Sequence, residues 1–153
     1  MDQPDKDRIR IEELEAPSAE AVQDLRRLLP QVSSSADPVT EEKVRAALAG
    51  GSHILLARLD GQIIGMTVLA VVTTLAGSFG VVEEVAVDEA VRGHHVSTAL
   101  MRSALELASR FGLRHVDLTS RPSREVANHL YRSVGFVQRD TNCYRYECVP
   151  VVR

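Results

Sequence analysis

Residues Val85 to Leu100 hold the pattern with the clearest chemical use. Val85, Ala86 and Val87 read as the end of an apolar strand, and Arg92-Gly93-His94-His95 as a turn. Val96-Ser97-Thr98 opens a helix whose apolar stripe runs Val96, Ala99, Leu100, Ala104, Leu107, Ala108 and Phe111. A helix start leaves several backbone N–H groups without intrahelical partners and carries a partial positive charge, so this turn is suited to a phosphate or pyrophosphate. A plain strand-to-helix connection has the same outline, and geometry alone does not separate the two. No lysine follows the turn as a phosphate-loop nucleotidase requires. Two adjacent carboxylates, Glu83 and Glu84, stand just upstream, and Asn128 and Tyr131 lie downstream at i and i+3 of another helical stretch, on one face.

Taken in order, these residues resemble a known family. Arg92-Gly93-His94-His95-Val96-Ser97 resembles the coenzyme A loop of the GNAT superfamily of acyl-CoA N-acyltransferases: Gln or Arg, two residues, Gly, one residue, Gly or Ala, then helix. Ala127-Asn128-His129-Leu130-Tyr131 with Gly135-Phe136 resembles that family's second motif, an Asn and a Tyr on the next helix before a Gly-Phe that starts a strand. Glu83-Glu84-Val85-Ala86-Val87 is similar to the acidic pair of glucosamine-6-phosphate N-acetyltransferases and related small-molecule enzymes. The resemblance implies an acetyl group moved from acetyl-CoA to a primary amine by direct attack in a ternary complex, with no metal. It implies a cofactor site built from Val85, Ala86, Val87, Arg92, Gly93, His94, His95, Val96, Ser97, Thr98, Asn128 and Tyr131.

Amines with a pKa near ~10 are mostly protonated at neutral pH and must lose that proton before attacking, which calls for a carboxylate, a histidine or a water held by one. Glu84 and Glu83 are the candidates, Glu84 slightly ahead. Strand alternation puts Glu83 on the face of Val85 and Val87, and Glu84 on that of Ala86, although a bulge would reverse the phase. Tyr131 is the expected donor to the departing thiolate, because a phenol stays protonated at neutral pH. Asn128 is expected to bond the pantetheine arm or the reacting groups, and a backbone N–H at the end of the Val85 to Val87 strand to hold the oxyanion.

The chain departs from the family pattern at two positions. His95 and Ser97 stand where the pattern has small residues, the first a glycine that lets the backbone approach the pyrophosphate. The His95 imidazole either intrudes on the phosphate or turns aside, and when protonated it adds charge complementarity. The rival reading is a GNAT-like domain that has lost catalysis, with His95 as the lesion, and serves as a CoA-binding or interaction module. His94 and His95 diverge as neighbours and do not make a metal site.

The elements that must position these groups follow from periodicity. Residues 1–7 read as a flexible segment and 8–153 as one domain of α+β class, a mixed and mostly antiparallel sheet of six to seven strands with four helices on its faces. Arg8 to Glu12 alternates as a strand, Pro17-Ser18 and Thr40 open helices, and Asp60-Gly61 joins two apolar runs as a hairpin. Gly77 leads into Phe79 to Val87, and His115 to Thr119 reads as a short strand. Pro122 opens a last helix, and Phe136-Val137 and Asn142 to Cys148 read as a closing pair of strands. The acceptor wall is expected from Gln31 to Pro38 and from Asn142-Cys143-Tyr144-Arg145-Tyr146, where Arg145 suits an acidic ligand and a structural strand or homodimer contact suits equally.

Composition bounds the rest. Hydrophobic residues are 44% and charged residues 25% of 153, the balance of a globular domain, and the longest apolar runs are too short to cross a bilayer. The acidic start lacks the features of a signal peptide, so a cytoplasmic enzyme is expected. Net charge is only -3, so no overall basic field favours nucleic acid. Cys143 and Cys148 lie at an odd spacing in one strand and read as free thiols.

Overall fold

A computed structural model describes residues 8–33, 37–91 and 95–150. One five-stranded sheet runs β1 (Ile9–Glu13), β2 (Ser52–Leu59), β3 (Gln62–Thr74), β4 (Gly77–Val87) and β5 (Val116–Asp117), in that spatial order. The first four strands are antiparallel and β5 joins β4 in parallel. Four helices accompany it: α1 (Ala19–Leu28), α2 (Glu41–Ala49), α3 (Val96–Arg110) and α4 (Glu125–Ser133).

Local chemistry sets the element ends. The Ser18 and Thr40 hydroxyls accept from the N–H groups of Ala21 and Lys43 at 3.1 and 3.2 Å, which satisfies donors that each helix start leaves free. Asp60 (φ 51°) and Gly61 (φ 84°) both take left-handed backbone, the two-residue turn whose twist matches that of the flanking strands. Pro122 does not open α4; a turn closed by Arg124 N–H to Arg121 C=O at 3.0 Å intervenes, and the helix begins at Glu125.

The sheet is buried on both faces. On one, Leu69, Val82 and Val87 share a cluster with Leu100, Met101, Ala104 and Leu107 of α3 and with Tyr131 of α4. On the other, Leu56, Ile63, Met66, Val68 and Ala86 share one with Ala21, Leu25 and Leu28 of α1 and Val44 of α2. Each fully buried aliphatic side chain contributes about 1.5–3 kcal/mol of transfer free energy. Gly65 lets the α3 start sit directly on β3, because a Cβ there would lie 3.1 Å from Val96 Cγ1 and 3.2 Å from Leu100 Cδ1.

The sheet has five strands among the described residues, not six or seven. Phe136-Val137 and Asn142 to Cys148 are not strands, and His115 to Thr119 contributes only Val116–Asp117. The physical reason is the missing partner: among the described residues, no backbone group of 137–150 bonds to another backbone group. Without a ladder, alternation alone makes no strand.

Candidate active site

The end of β4 is irregular where the sequence placed its carboxylates. Val68 pairs with Glu83 and Met66 with Ala86, so Thr67 alone stands opposite both Glu84 and Val85. This is a β-bulge with Glu84 as the extra residue, at φ 58°. The phase reverses there: Val82 lies on the α3 face, Glu83 opposes Val68 on the α1 side, and Val85 and Val87 return to the α3 face. Glu83 therefore does not share the face of Val85 and Val87, and strict alternation across Glu84 fails for this reason.

Thr67 supports the bulge, a residue the sequence reading passed over. Its side chain is fully buried on the α3 face and its hydroxyl donates to the Glu83 carbonyl at 3.4 Å. Only its polarity within the apolar run Ile63 to Val72 hints at this from sequence. Burial and, secondarily, the neighbouring Glu83 charge push the Glu84 carboxyl above its usual range, although its side chain keeps an open path to solvent.

The bulge lies where β4 and β5 part. Pairing between them covers only Gly80↔Val116 and Val81↔Asp117, so among the described residues β4 runs on from Val82 to Val87 with no strand beside it on that edge. Beyond β5 the Ser120 hydroxyl is shielded from solvent and has no hydrogen-bond partner among the described residues, a second group not anticipated from the sequence.

Tyr131 borders this region from α4. Its ring is buried in the cluster of Val82 and Val87 and meets Phe136 edge-on at 6.1 Å. Burial pushes its phenol above the ordinary value, and the Arg124 charge pulls modestly the other way, so it holds its proton at neutral pH. Asn128 is half-buried one turn earlier, and its side-chain amide donates to the Arg121 carbonyl at 2.9 Å. One donor of Asn128 thus fastens the loop before α4.

Of the expected phosphate turn, Arg92, Gly93 and His94 lie outside the described residues. His95 precedes α3 as its cap residue, exposed and left-handed (φ 63°, ψ 17°), with no side-chain cap bond. Where the family pattern has glycine, the backbone keeps a glycine-like conformation with an imidazole attached. Ala99 N–H bonds the His95 carbonyl at 3.0 Å, and Val96, Ser97 and Thr98 form the first turn, where amides point along the axis toward a ligand.

Glu83 looks the other way. β4 lies against the 3-10 turn Leu29–Gln31, which leads into the connection expected to form an acceptor wall. Beside that turn is a mainly apolar concavity lined by Arg26, Leu29, Pro30, Asp37, Pro38 and Val39. The expected second wall, residues 142–146, is exposed, and among the described residues it makes no backbone–backbone hydrogen bond with the domain. Another concavity, at Arg8, Arg10, Arg58, Asp60 and Gly61, lies by the β2–β3 hairpin away from the bulge, and Arg58 is engaged by Glu12 and Glu20. No helix among the described residues is long and apolar enough to cross a membrane.

The profile of the acetyltransferase (GNAT) family matches residues 19–136, which takes in the bulge, α3 and α4. Among solved structures, the fold is similar to an aminoglycoside acetyltransferase from an uncultured soil metagenomic sample, at TM-score 0.82 and 17% identity, covering 95% of this chain and 99% of that one. An aminoglycoside antibiotic 6'-N-acetyltransferase from Acinetobacter haemolyticus matches at TM-score 0.73 and 22% identity, covering 92% and 99%. A glucosamine-6-phosphate N-acetyltransferase from Arabidopsis thaliana matches at TM-score 0.71 and 18% identity, covering 90% and 97%. A search of curated proteins finds no match.

Proposed function

We propose that this chain, which belongs to the acetyltransferase (GNAT) family, transfers an acetyl group from acetyl-CoA to a primary amine of a cationic small molecule by direct attack within a ternary complex. The observation that carries this reading is the bulge, which sets a carboxylate of raised proton affinity at the mouth of the opening between β4 and β5. The first turn of α3 and the Tyr131 phenol border the same strand end.

Acetyl-CoA supplies an already activated thioester, so the residues have to align, move protons and stabilise charge. Val96, Ser97 and Thr98, with Arg92, Gly93, His94 and His95, would hold the pyrophosphate, and the free edge Val85, Ala86 and Val87, with Asn128 and Ser120, the pantetheine arm. Glu84 takes the proton from the incoming ammonium, directly or through a water, and its raised pKa brings it closer to that of an amine. The amine nitrogen bonds to the carbonyl carbon, a backbone N–H at the end of β4 holds the oxyanion, and the carbon–sulfur bond breaks. Tyr131, whose buried phenol is protonated, gives its proton to the sulfur and is reprotonated by the excess proton that the nitrogen sheds on becoming an amide.

The acceptor class follows from charge. Glu83 is close enough for its charge to raise the neighbouring Glu84 carboxyl, so an acceptor at Glu84 would meet the field of two carboxylates, which favours an amine carrying further positive charge. Two of the neighbours in fold are aminoglycoside acetyltransferases, and an aminosugar-type polyamine is the class proposed.

A thermal-shift titration tests the first half. Acetyl-CoA and CoA should raise the melting temperature, since a ligand at ~100 times its Kd stabilises by ~2.7 kcal/mol, whereas ATP should not. Thiol release with a panel of aminoglycosides and aminosugars tests the second. A flat response to both CoA and acetyl-CoA at millimolar concentration would favour the non-catalytic reading, in which His95 blocks the loop.

A further inference from the structure

Arg27, in the last turn of α1, ties three elements together where the chain leaves β4. Its guanidinium donates to the Asp88 carboxylate at 2.6 Å and to the Ile63 carbonyl of β3 at 3.0 Å, and meets Asp24 of its own helix at 3.3 Å. The base of this clip is firm: Leu25 and Leu28 beside it are buried, and the neighbouring Arg26 Nε donates to the Val39 carbonyl at 3.0 Å. A planar guanidinium serves several acceptors at fixed angles, which a single ammonium does not.

Asp88 engages every polar group it has. One carboxylate oxygen accepts from Arg27, and the other from the Ala90 N–H at 3.1 Å. Its backbone N–H donates to the Ile64 carbonyl at 2.7 Å, and its carbonyl accepts from the Val91 N–H at 3.1 Å, which closes the 3-10 turn Glu89–Val91. The direction in which the chain turns off β4 is therefore over-determined, and one of the bonds that fix it comes from α1.

These contacts gather on one short stretch of β3. Ile63 receives Arg27, Ile64 receives Asp88, and Gly65 receives the start of α3, where Val96 and Leu100 occupy the space of its missing side chain. Two residues of strand span about 7 Å, so the clip, the exit from β4 and the first turn of α3 are neighbours on the sheet. The ion pair itself is partly exposed, 44% for the Arg27 side chain and 30% for that of Asp88, a setting in which such a pair adds little to stability. What it adds is a fixed angle.

We infer that Arg27, acting through Asp88, is a positioning residue for the cofactor: on the reading that the α3 start binds coenzyme A, it sets how the chain leaves β4 and so where the α3 amides meet the pyrophosphate. Isothermal titration with CoA of the wild type, Arg27→Met, Asp88→Asn and the double variant is the test, with hydrogen exchange of the Ala90 and Val91 amides beside it. Asn at position 88 keeps an oxygen for the Ala90 N–H and loses the charge that holds Arg27. Each single substitution should weaken CoA binding about 10-fold, as one misplaced charge-assisted hydrogen bond would, and the double variant should bind no more weakly than either, because both act through one contact. Arg27→Met should also speed exchange at Ala90 and Val91, and Arg27→Lys, which keeps the charge and loses the fork, should bind CoA with intermediate affinity.

Arg58 supplies the control for mere loosening. It is a clip of the same make at the β2–β3 hairpin, bonded to Glu12 at 2.5 Å, Glu20 at 2.7 Å and the Gly61 carbonyl at 2.8 Å. Arg58→Met should lower the melting temperature and leave CoA affinity unchanged. Wild-type affinity in Arg27→Met overturns the inference, as does an equal loss in Arg58→Met or a double variant whose loss is the product of the two single losses. A wild type that does not bind CoA is a different failure, which removes the reading of the α3 start and this inference together.

Discussion

The two halves of β4 obey different rules. From Gly77 to Val82 it pairs with β3 residue for residue, through Thr74↔Gly77 and Val72↔Phe79 to Leu69↔Val82, and parallel to β5 at Gly80 and Val81. From Glu83 to Val87 one residue too many interrupts the ladder, β5 has gone, and two carboxylates replace the valines. The first half serves the core by regular alternation. The second keeps its valines in the core only because the bulge reverses the phase, while the extra residue leaves an exposed carboxylate on the strand. Removing Glu84 from the alignment would pair Val85 with Thr67 and leave every other partner unchanged, so the core does not need it.

That contrast can be broken directly. Deleting Glu84 should restore an unbroken ladder with Glu83 opposite Val68, Val85 opposite Thr67 and Ala86 opposite Met66, and hence a melting temperature no lower than wild type. Turnover should fall by ~10²–10⁴-fold, the usual worth of a positioned base. A folded deletion variant that still turns over at the wild-type rate would remove the bulge from the mechanism. Tyr131→Phe should come next, lowering kcat by about 10²-fold while acetyl-CoA affinity holds, because only the proton for the thiolate is lost. Unchanged turnover, with chemistry shown to be rate-limiting, would return Tyr131 to packing alone.

A gentler substitution sharpens the electrostatic half of the comparison. The Glu84 carboxyl sits above its usual range through burial first and the Glu83 charge second, so the native state binds its proton more readily than the unfolded chain. Its contribution to stability is therefore fully present in acid, below the unfolded value, and is lost as pH rises through the native one. Glu84→Gln should accordingly stabilise at neutral pH, and melting curves at pH 4 and pH 8 should show that gain vanishing at the lower pH. Glu83→Gln should move the acid limb of kcat/KM to lower pH and spare most of the rate, since it removes a neighbouring negative charge and not the base. Loss of rate in Glu83→Gln larger than in Glu84→Gln would exchange the two roles.

What could be read from the sequence was whatever its neighbours in sequence decide. The caps at Ser18 and Thr40, the Asp60-Gly61 hairpin and the stripe of α3 are local, and the structure has them where their residues are. The bulge was out of reach because it is a property of two strands in register: nothing in Glu83-Glu84-Val85 says which residue is surplus until Val68 and Met66 are placed opposite. Thr67 and Ser120 were missed for the same reason, since a hydroxyl's value depends on what it faces. The closing strands fail differently. Their alternation is in the sequence, but a strand exists only with a partner, and among the described residues no backbone group of 137–150 bonds to another. The family was legible because its motifs depend on residue type at fixed helical spacing.

His95 gives the smallest and most discriminating effect. A non-glycine residue at φ 63° costs about 1 kcal/mol against glycine, and His95 makes no side-chain cap bond that would offset it. His95→Gly should therefore stabilise the domain by up to about 1 kcal/mol, less whatever the freer unfolded chain recovers. The backbone already has the conformation that glycine favours, so the substitution tests the side chain with little change in the turn. If the imidazole intrudes on the pyrophosphate, the glycine variant should bind CoA more tightly at every pH. If protonated His95 donates to the phosphate, the variant should bind more weakly, and the wild type should bind CoA more tightly at pH 5.5 than at pH 8. Isothermal titration of both proteins with CoA at pH 5.5 and pH 8 separates these outcomes, and identical affinities in all four measurements would detach the start of α3 from the pyrophosphate.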